Sequence, residues 1–329
     1  MRKDCWLTNA VICRPWDEDG NREPTTKEIS YCRPNLANTF RELDPEVVIP
    51  LGKVSMASIL PLVWKDHEAD TITRWVGWQI PVQKGNFWMC PTYHTSHLLR
   101  ANNEGANTVE LHLTKHLAAA FALKGRPWDQ NPPNFAGSVQ LHFSPRQAAK
   151  EVGAMMEEGG PLAFDFETTT LKPDGPHAEI LCCAVSDGKV SIAFPWIGEA
   201  REAVRNLVRN PKIPKIAANL QFEDRWCRAK LGTSVRNWHY DTCLGAHWLD
   251  CRSHVSSLKF QSFVRFGMPD YDSHLEKYKK PDKKHRDDCN APNRLKEVEP
   301  EILLRYCAID ALLEVKVFEH QMQEWENKQ

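Results

Sequence analysis

The sequence predicts two α/β units in tandem, on three observations. Between Pro161 and Trp196, the apolar runs PLAFDF, EILCCAVSDG and KVSIAFPW have the length and composition of buried strands, the last two joined by an Asp-Gly turn. Helical patterns with apolar steps of three and four residues follow or precede them: PRQAAKEVGAMMEEGG, EAREAVRNLVRN and QFEDRWCRAKLG. Upstream, KGRPWDQNPPNFAGS, from Lys124 to Ser138, holds three prolines and two glycines with no helical or alternating period, and so predicts a linker. The expected division is 1–125, a linker at 126–138, and 139–329.

Within the first unit, WLTNAVIC and EVVIPLG predict short buried strands. TTKEISYCRPNLANTFREL and NTVELHLTKHLAAAFALKG predict amphipathic helices. The second unit opens with VQLHF, and PKIAANL adds a short strand. Helices are expected at DTCLGAHWLD, at SSLKFQSFVRFG and over the long C-terminal segment EPEILLRYCAIDALLEVKVFEHQMQEWENK.

With 329 residues, 42% of them hydrophobic, the chain can build two cores. Its formal net charge of -1 gives no global basic field, so affinity for nucleic acid must be local. No basic-then-apolar leader and no membrane-length apolar run is present, which predicts a soluble cytoplasmic protein with no membrane partner. Eleven irregularly spaced cysteines fit reduced thiols, and the lack of any Cys-x-x-Cys argues against a zinc ribbon.

The chemistry concentrates in acidic residues. On a strand, residues two apart share a face, so Asp165 and Glu167 in FDFETTT would set two carboxylates side by side. Such a pair repels unless a cation lies between, and hard divalent ions take oxygen ligands of this kind. The pattern alone is not diagnostic, since Asp44/Glu46 and Asp66/Glu68 repeat it. Downstream, NLQFEDRW brings Glu223 and Asp224 to the start of a helix, and Tyr306 and Asp310 in RYCAIDALL are four apart on one helix face. A second Tyr-x-x-x-Asp, Tyr278 to Asp282, contains Pro281 and cannot be regular helix.

Taken in this order, the three segments resemble the motifs of the DEDD exonuclease superfamily, tyrosine subclass. More closely, FDFETTTL, NLQFEDRW, YDTCLGAHWLD, SSLKF and YCAIDALLEVKVF are similar to the proofreading 3'-5' exonuclease domain of family A DNA polymerases. The resemblance implies a ribonuclease H-like fold, a mixed five-stranded sheet flanked by helices. It implies a two-metal phosphodiester hydrolysis with Mg²⁺ or Mn²⁺, in which Asp165, Glu167 and Asp310 hold the first ion and Asp165 bridges to the second. Tyr306 would orient the attacking water. Thr168 and Leu171 match positions that contact the terminal nucleotide, the leucine as a wedge against bases, and Asn219 heads the second motif. Where the family has aspartate four residues after that asparagine, this chain has Glu223, with Asp224 next. Either Glu223 or Asp224 would serve the second metal, and Glu223 is the expected one. The implied partner is a single-stranded or frayed 3' end of DNA, although related folds also process RNA ends, and beyond it a DNA polymerase subunit or domain.

The first unit resembles the uracil-DNA glycosylase superfamily, its iron-sulfur family in particular, through LTNAVICRPWDEDGNREPTTKEISYCRPNL, DPEVVIPLGKVS and PTYHTSHLLR. That resemblance gives Asn9 the uracil edge, Cys13 and Cys32 two corners of a four-iron cluster, and His94 the departing base. Thr95 stands where the family has proline, and the early motif with its catalytic acid and first cysteine pair is not in the sequence. Two thiolates cannot hold a cubane cluster, and Cys5 and Cys90 have the wrong spacing to complete it, so no iron-sulfur cluster is expected. The unit reads as a partial glycosylase-like domain, structural or DNA-docking. Some bacteriophage polymerases look similar in joining such a region to an exonuclease domain. No palm or fingers follow the third motif here, and polymerase activity is not expected.

Two further features belong to the surface. EKYKKPDKKHR, Glu276 to Arg286, fits a solvated basic loop, or a phosphate-contacting one in which Lys279 and Lys280 meet the strand and Tyr278 stacks on a base. Trp226 and Trp248 fall at core-like helical positions.

Overall fold

The computed structural model describes residues 5–65, 71–103, 108–126, 135–281 and 291–327. Asp66/Glu68, most of the expected linker, and Asp282 to Arg286 of the basic run lie outside the described residues. The chain forms two compact units: Met1–Pro132 with Phe263–Asp270, and Pro133–Ser262 with Tyr271–Gln329.

In the first unit the elements are β1 (Trp16–Asp17), β2 (Gly20–Asn21), α1 (Thr26–Leu43), β3 (Val47–Val48), α2 (Gly52–Val63), β4 (Ile80–Val82), β5 (Phe87–Met89), α3 (Thr95–Asn103) and α4 (Thr108–Phe121). A capping box starts α1: Glu28 N donates to Thr25 Oγ1 at 3.3 Å and Thr25 N to Glu28 Oε2 at 2.7 Å. A small three-stranded sheet runs β3-β5-β4, with β5 parallel to β3 and antiparallel to β4. Phe263 is stacked on Trp64 at 4.5 Å. The expected strand WLTNAVIC does not form. Trp6, Leu7 and Ile12 are exposed, and the run pairs with no strand among the described residues, so apolar content alone does not order it.

The second unit contains α5 (Phe135–Ser138), β6 (Val139–Leu141), α6 (Pro145–Glu158), β7 (Leu162–Thr168), β8 (Ile180–Ser186), β9 (Ser191–Pro195), α7 (Gly198–Arg209), β10 (Lys215–Ala217), α8 (Leu220–Leu231), β11 (Trp238–Asp241), α9 (Thr242–Leu249), α10 (Leu258–Phe266) and α11 (Pro300–Glu326). Of α10, Leu258 to Ser262 belong to this unit and the rest to the first. The sheet has six strands in the order β11-β10-β7-β8-β9-β6. It is mixed: β7-β8-β9 are antiparallel, whereas β10, β11 and β6 join in parallel. The strand beyond the five expected is β11, which closes one edge.

Alternation on β7 decides the rest. Phe164 and Phe166 point to one face and enter a core with Val152 of α6, Val204 and Leu207 of α7, and Trp226 of α8. Ala163 belongs to the other face, packed with Val315 of α11, and Asp165 and Glu167 share its parity. On that same side Cys182, Ala184 and Ala193 of β8 and β9 meet Leu304, Cys307, Ala308 and Ala311 of α11. Small residues on the strands let the helix approach, and Ser191 Oγ donates to the Ala308 carbonyl at 2.7 Å. The tight turn after β8 needs Gly188, whose φ is 85°; a Cβ there would come within 2.7 Å of Val315 Cγ1. Trp226 is fully buried as expected, but Trp248 is 75% exposed, with the Trp325 ring of α11 6.4 Å from its own.

Asp241, at the end of β11, ties two helix starts together. Its Oδ1 accepts from Cys243 N at 2.8 Å, Leu244 N at 3.2 Å and Asn219 N at 3.1 Å, while Oδ2 accepts from Leu220 N at 3.0 Å. Replacing Asp241 with alanine therefore strips the cap of α9 and leaves the start of α8 unsatisfied. Urea denaturation should show a loss of about 2–4 kcal/mol with an unchanged m-value; a loss below about 0.5 kcal/mol would contradict this role.

Candidate metal centre

Three elements bring the acidic residues together. β7 supplies Asp165 and Glu167, paired in register with Ala184 and Cys182 of β8, and a bulge falls between Glu167 and Thr168. Bulges re-aim side chains at the end of a strand. From α8 comes Glu223, only 2% exposed, one turn after Asn219, whose left-handed backbone (φ 68°) turns the chain from β10 into the helix. The third element, α11, carries Tyr306 and Asp310, both buried, at the four-residue spacing that places them on one face.

The electrostatics are those of carboxylates crowded without enough positive charge. Asp165 is pushed up to about 7, first by removal from water and then by Asp310, with Lys259 partly offsetting both. Glu167 is held well above the usual carboxylate range by burial, then by Asp165 and Asp310. Burial and Asp165 do the same to Glu223. Asp165 Oδ2 and Glu223 Oε2 are buried with no hydrogen-bond partner. Buried polar atoms of this kind cost on the order of 1–3 kcal/mol each unless something binds them. Asp165 and Glu167 each place a carboxylate oxygen within 4.8 Å of the other and of Cys307 Sγ.

Asp310 is near enough to perturb both β7 acids, but it is held by other groups. Its Oδ1 accepts from Tyr271 OH at 2.6 Å and pairs with Lys259 Nζ, which also donates to Tyr271 OH at 2.8 Å. The Lys259 ammonium lies 4.5 Å from the centre of the Tyr306 ring, and that of Lys279 lies 5.0 Å away. Burial and the nearby Asp310 and Glu167 charges hold the Tyr306 phenol well above its ordinary range, so it remains a neutral donor.

Asp224, the alternative to Glu223, faces elsewhere. It accepts from Val235 N at 2.9 Å and Ser234 Oγ at 3.0 Å and pairs with Arg228 at 2.5 Å. Thr168 is buried and its hydroxyl donates to the Thr170 carbonyl at 2.8 Å, while Leu171 is 81% exposed. Asn219 is exposed at the mouth of α8. Lys280 is exposed; Lys279 instead pairs with Glu276 at 3.1 Å and Asp272 at 3.3 Å. Tyr278 is half-buried against the α11 core.

Sequence reasoning passed over three residues here. Lys259 sits inside the SSLKF segment, and Tyr271 follows it with no periodic signal. Glu314, 1% exposed, lies four residues past Asp310 on the same helix face, a spacing that could have exposed it. Its Oε1 accepts from Ala218 N at 2.9 Å, and burial, Asp165 and Glu223 hold its carboxyl well above the usual range.

With this geometry in hand, the comparisons with known proteins decide the family. Residues 142–325 match the 3'-5' exonuclease family of the DNA polymerase A type. The chain belongs to that 3'-5' exonuclease family. Residues 1–118 match the uracil DNA glycosylase superfamily, which identifies the N-terminal domain. Among curated relatives, the type-4 uracil-DNA glycosylase of Pyrobaculum aerophilum is 30% identical over 99 residues, 30% of this chain and 49% of the relative. That of Archaeoglobus fulgidus is 34% identical over 73 residues, 22% of this chain and 34% of the relative. The chain thus spans at most about half the length of these curated relatives. Of solved structures, the catalytic core of RRP6 from Trypanosoma brucei has a TM-score of 0.42 at 13% identity, covering 56% of this chain and 46% of that one. Escherichia coli RNase D has a TM-score of 0.43 at 14% identity, covering 58% and 46%. In the glycosylase-like domain Asn9, Cys13 and His94 are exposed and Cys32 is buried in α1. Among the described residues no helix is long and apolar enough to cross a membrane.

The site's acids make stability depend on pH in a defined direction. A carboxyl whose folded pKa is raised stays protonated in the folded chain while the unfolded chain has ionised, so its contribution is present at low pH and lost as pH rises through the folded value. For Asp165 that loss begins near the unfolded value of about 4 and is complete near the folded value of about 7. In chelator, the melting temperature should fall between about pH 4 and about pH 7, and it should fall less for Asp165→Asn. A wild-type curve as flat as that of the variant would contradict this.

Proposed function

We propose that the chain is a metal-dependent 3'-5' exonuclease that hydrolyses phosphodiester bonds of DNA from a single-stranded or frayed 3' end. The observation that carries this is the pair of buried, unpartnered carboxylate oxygens, Asp165 Oδ2 and Glu223 Oε2, beside Glu167, Asp310 and Tyr306. Their donor set is all oxygen and electron-rich, which fits Mg²⁺ or Mn²⁺. Asp165, Glu167 and Asp310 would hold one ion, and Asp165 with Glu223 a second. When bound, such ions acidify water and stabilise charge on the attacking and leaving oxygens of the phosphodiester.

The chain's own groups do the rest. Tyr306, kept neutral by its surroundings, donates its phenol proton to aim the attacking water rather than to act as a base. Lys259 and Tyr271 fix the Asp310 carboxylate and limit its freedom. Leu171, exposed just past β7, is suited to wedge between the last bases, and Asn219 and Thr168 flank the path of the terminal nucleotide. Lys280 adds a cation for the phosphates. Lys279, paired with Asp272 and Glu276, contributes to the field around Tyr306 and reaches a phosphate only by leaving those partners.

In this reading residues 139–329 form the nuclease, 126–138 a linker, and 1–125 a glycosylase-like domain that docks DNA or a polymerase. The biological role is proofreading beside a DNA polymerase subunit or domain, as in the bacteriophage polymerases the sequence resembles.

End-labelled single-stranded DNA, incubated with Mg²⁺ and separately with chelator, provides the test. Shortening from the 3' end is expected with Mg²⁺ alone and should vanish in the Asp165→Ala, Glu167→Ala double variant. Tyr306→Phe should retain cation binding but slow hydrolysis by roughly 10². Degradation by the double variant at the wild-type rate would overturn the assignment.

A further inference from the structure

Three consecutive main-chain amides after β10 are held by two buried carboxylates from different elements. Ala218 N donates to Glu314 Oε1 of α11 at 2.9 Å, and Asn219 N and Leu220 N donate to Asp241 of β11 at 3.1 and 3.0 Å. Successive amides at a helix start make an anion-binding concavity, and here the chain fills it with its own acids. The turn is made by the left-handed Asn219, which has no side-chain cap bond, and Glu223 follows one turn later in α8. Glu314 is 1% exposed, and its Oε2 has no hydrogen-bond partner. Its neighbours Leu312, Leu313, Val315 and Val317 are buried apolar residues. An apolar side chain would pack among them without the cost of burying a carboxyl, so packing gives no reason for an acid at this position.

Glu314 stands eight residues after Tyr306 and four after Asp310, so the three share one face of α11. The helix that carries Asp310 and the water-aiming phenol therefore also grips the turn that delivers Glu223. We propose that Glu314 is a positioning residue for the nuclease: by accepting from Ala218 N it ties the start of α8 to α11, and so sets where Glu223 stands relative to Asp165 and Asp310. Two-ion centres work with their ions about 4 Å apart, and a displacement of about 1 Å at a reacting group can cost roughly 10² in rate. One rigid helix that indexes both halves of the centre holds that spacing. The inference rests on the metal-centre reading above, and adds to it a residue that acts only through Glu223.

The test uses two variants of the full chain. Glu314→Gln keeps an oxygen that can accept from Ala218 N, whereas Glu314→Met has similar length and no acceptor. Mn²⁺ titration of the metal-free proteins, followed by electron paramagnetic resonance, gives the two ion affinities without substrate. In Glu314→Met one ion should bind as in the wild type and the other about tenfold more weakly or worse, the scale of losing a supporting partner of a metal site. Its kcat on end-labelled single-stranded DNA should fall by roughly 10² while KM stays within about twofold. Glu314→Gln should match the wild type in both measurements. A merely structural role would lower the urea midpoint of Glu314→Met and leave the ratio of the two ion affinities unchanged; that result would overturn the proposal. So would a Glu314→Gln variant as impaired as Glu314→Met. Should Glu314→Met fail to fold, Ala218→Pro takes its place with the same expected split, since it removes the donor, leaves Glu314 intact and follows the extended Ala217. Failure of the metal-centre reading is distinct, because it would show as absent Mn²⁺ binding by the wild type itself.

Discussion

Repulsion among buried carboxylates is the constraint on which the second unit depends. Asp165, Glu167, Glu223, Asp310 and Glu314 approach one another from three elements, and each of the first three and Glu314 is held above its usual range by burial and by its neighbours. Lys259 is the cation that pairs with them directly, and it serves Asp310. A fold does not gather such charges for stability, because unpaired buried charge costs more than packing at the same place would return. The surrounding core holds them in place: Phe164 and Phe166 anchor β7 from behind, and small residues on β8 and β9 seat α11 in front.

That arrangement also explains which departures the site tolerates. Glutamate at position 223 extends one methylene further than aspartate, and the buried start of α8 directs it toward Asp165, while Asp224 is spent on Ser234, Val235 and Arg228. Asp241 fixes the same junction from the other side by binding the first amides of both α8 and α9. Placement of Glu223 is thus set in part by Asp241, whose charge also helps to raise the Glu223 carboxyl.

Much of this was legible in the sequence where local pattern and chemistry coincide. Alternation placed Asp165 and Glu167 on one face of a strand, and helical spacing joined Tyr306 to Asp310. The first unit was less legible. WLTNAVIC is apolar enough for a strand, yet strands need partners and none of the described ones pairs with it. α2, which contains SILPLV, has no polar face at its end and so no amphipathic signal. β11 is short and begins with Trp238-His239, and edge strands of four residues rarely announce themselves. Lys259 and Tyr271 act on the acids through tertiary contacts between segments tens of residues apart, and no local period records those.

The central claim is that these carboxylates form a cation site. Titrating the metal-free chain with Mn²⁺ while following the free ion by electron paramagnetic resonance measures this directly. The account predicts two bound ions per wild-type chain and loss of both in Asp165→Asn, since that residue is shared between the two positions. Equal Mn²⁺ binding by the wild type and the variant, or none by either, would contradict it.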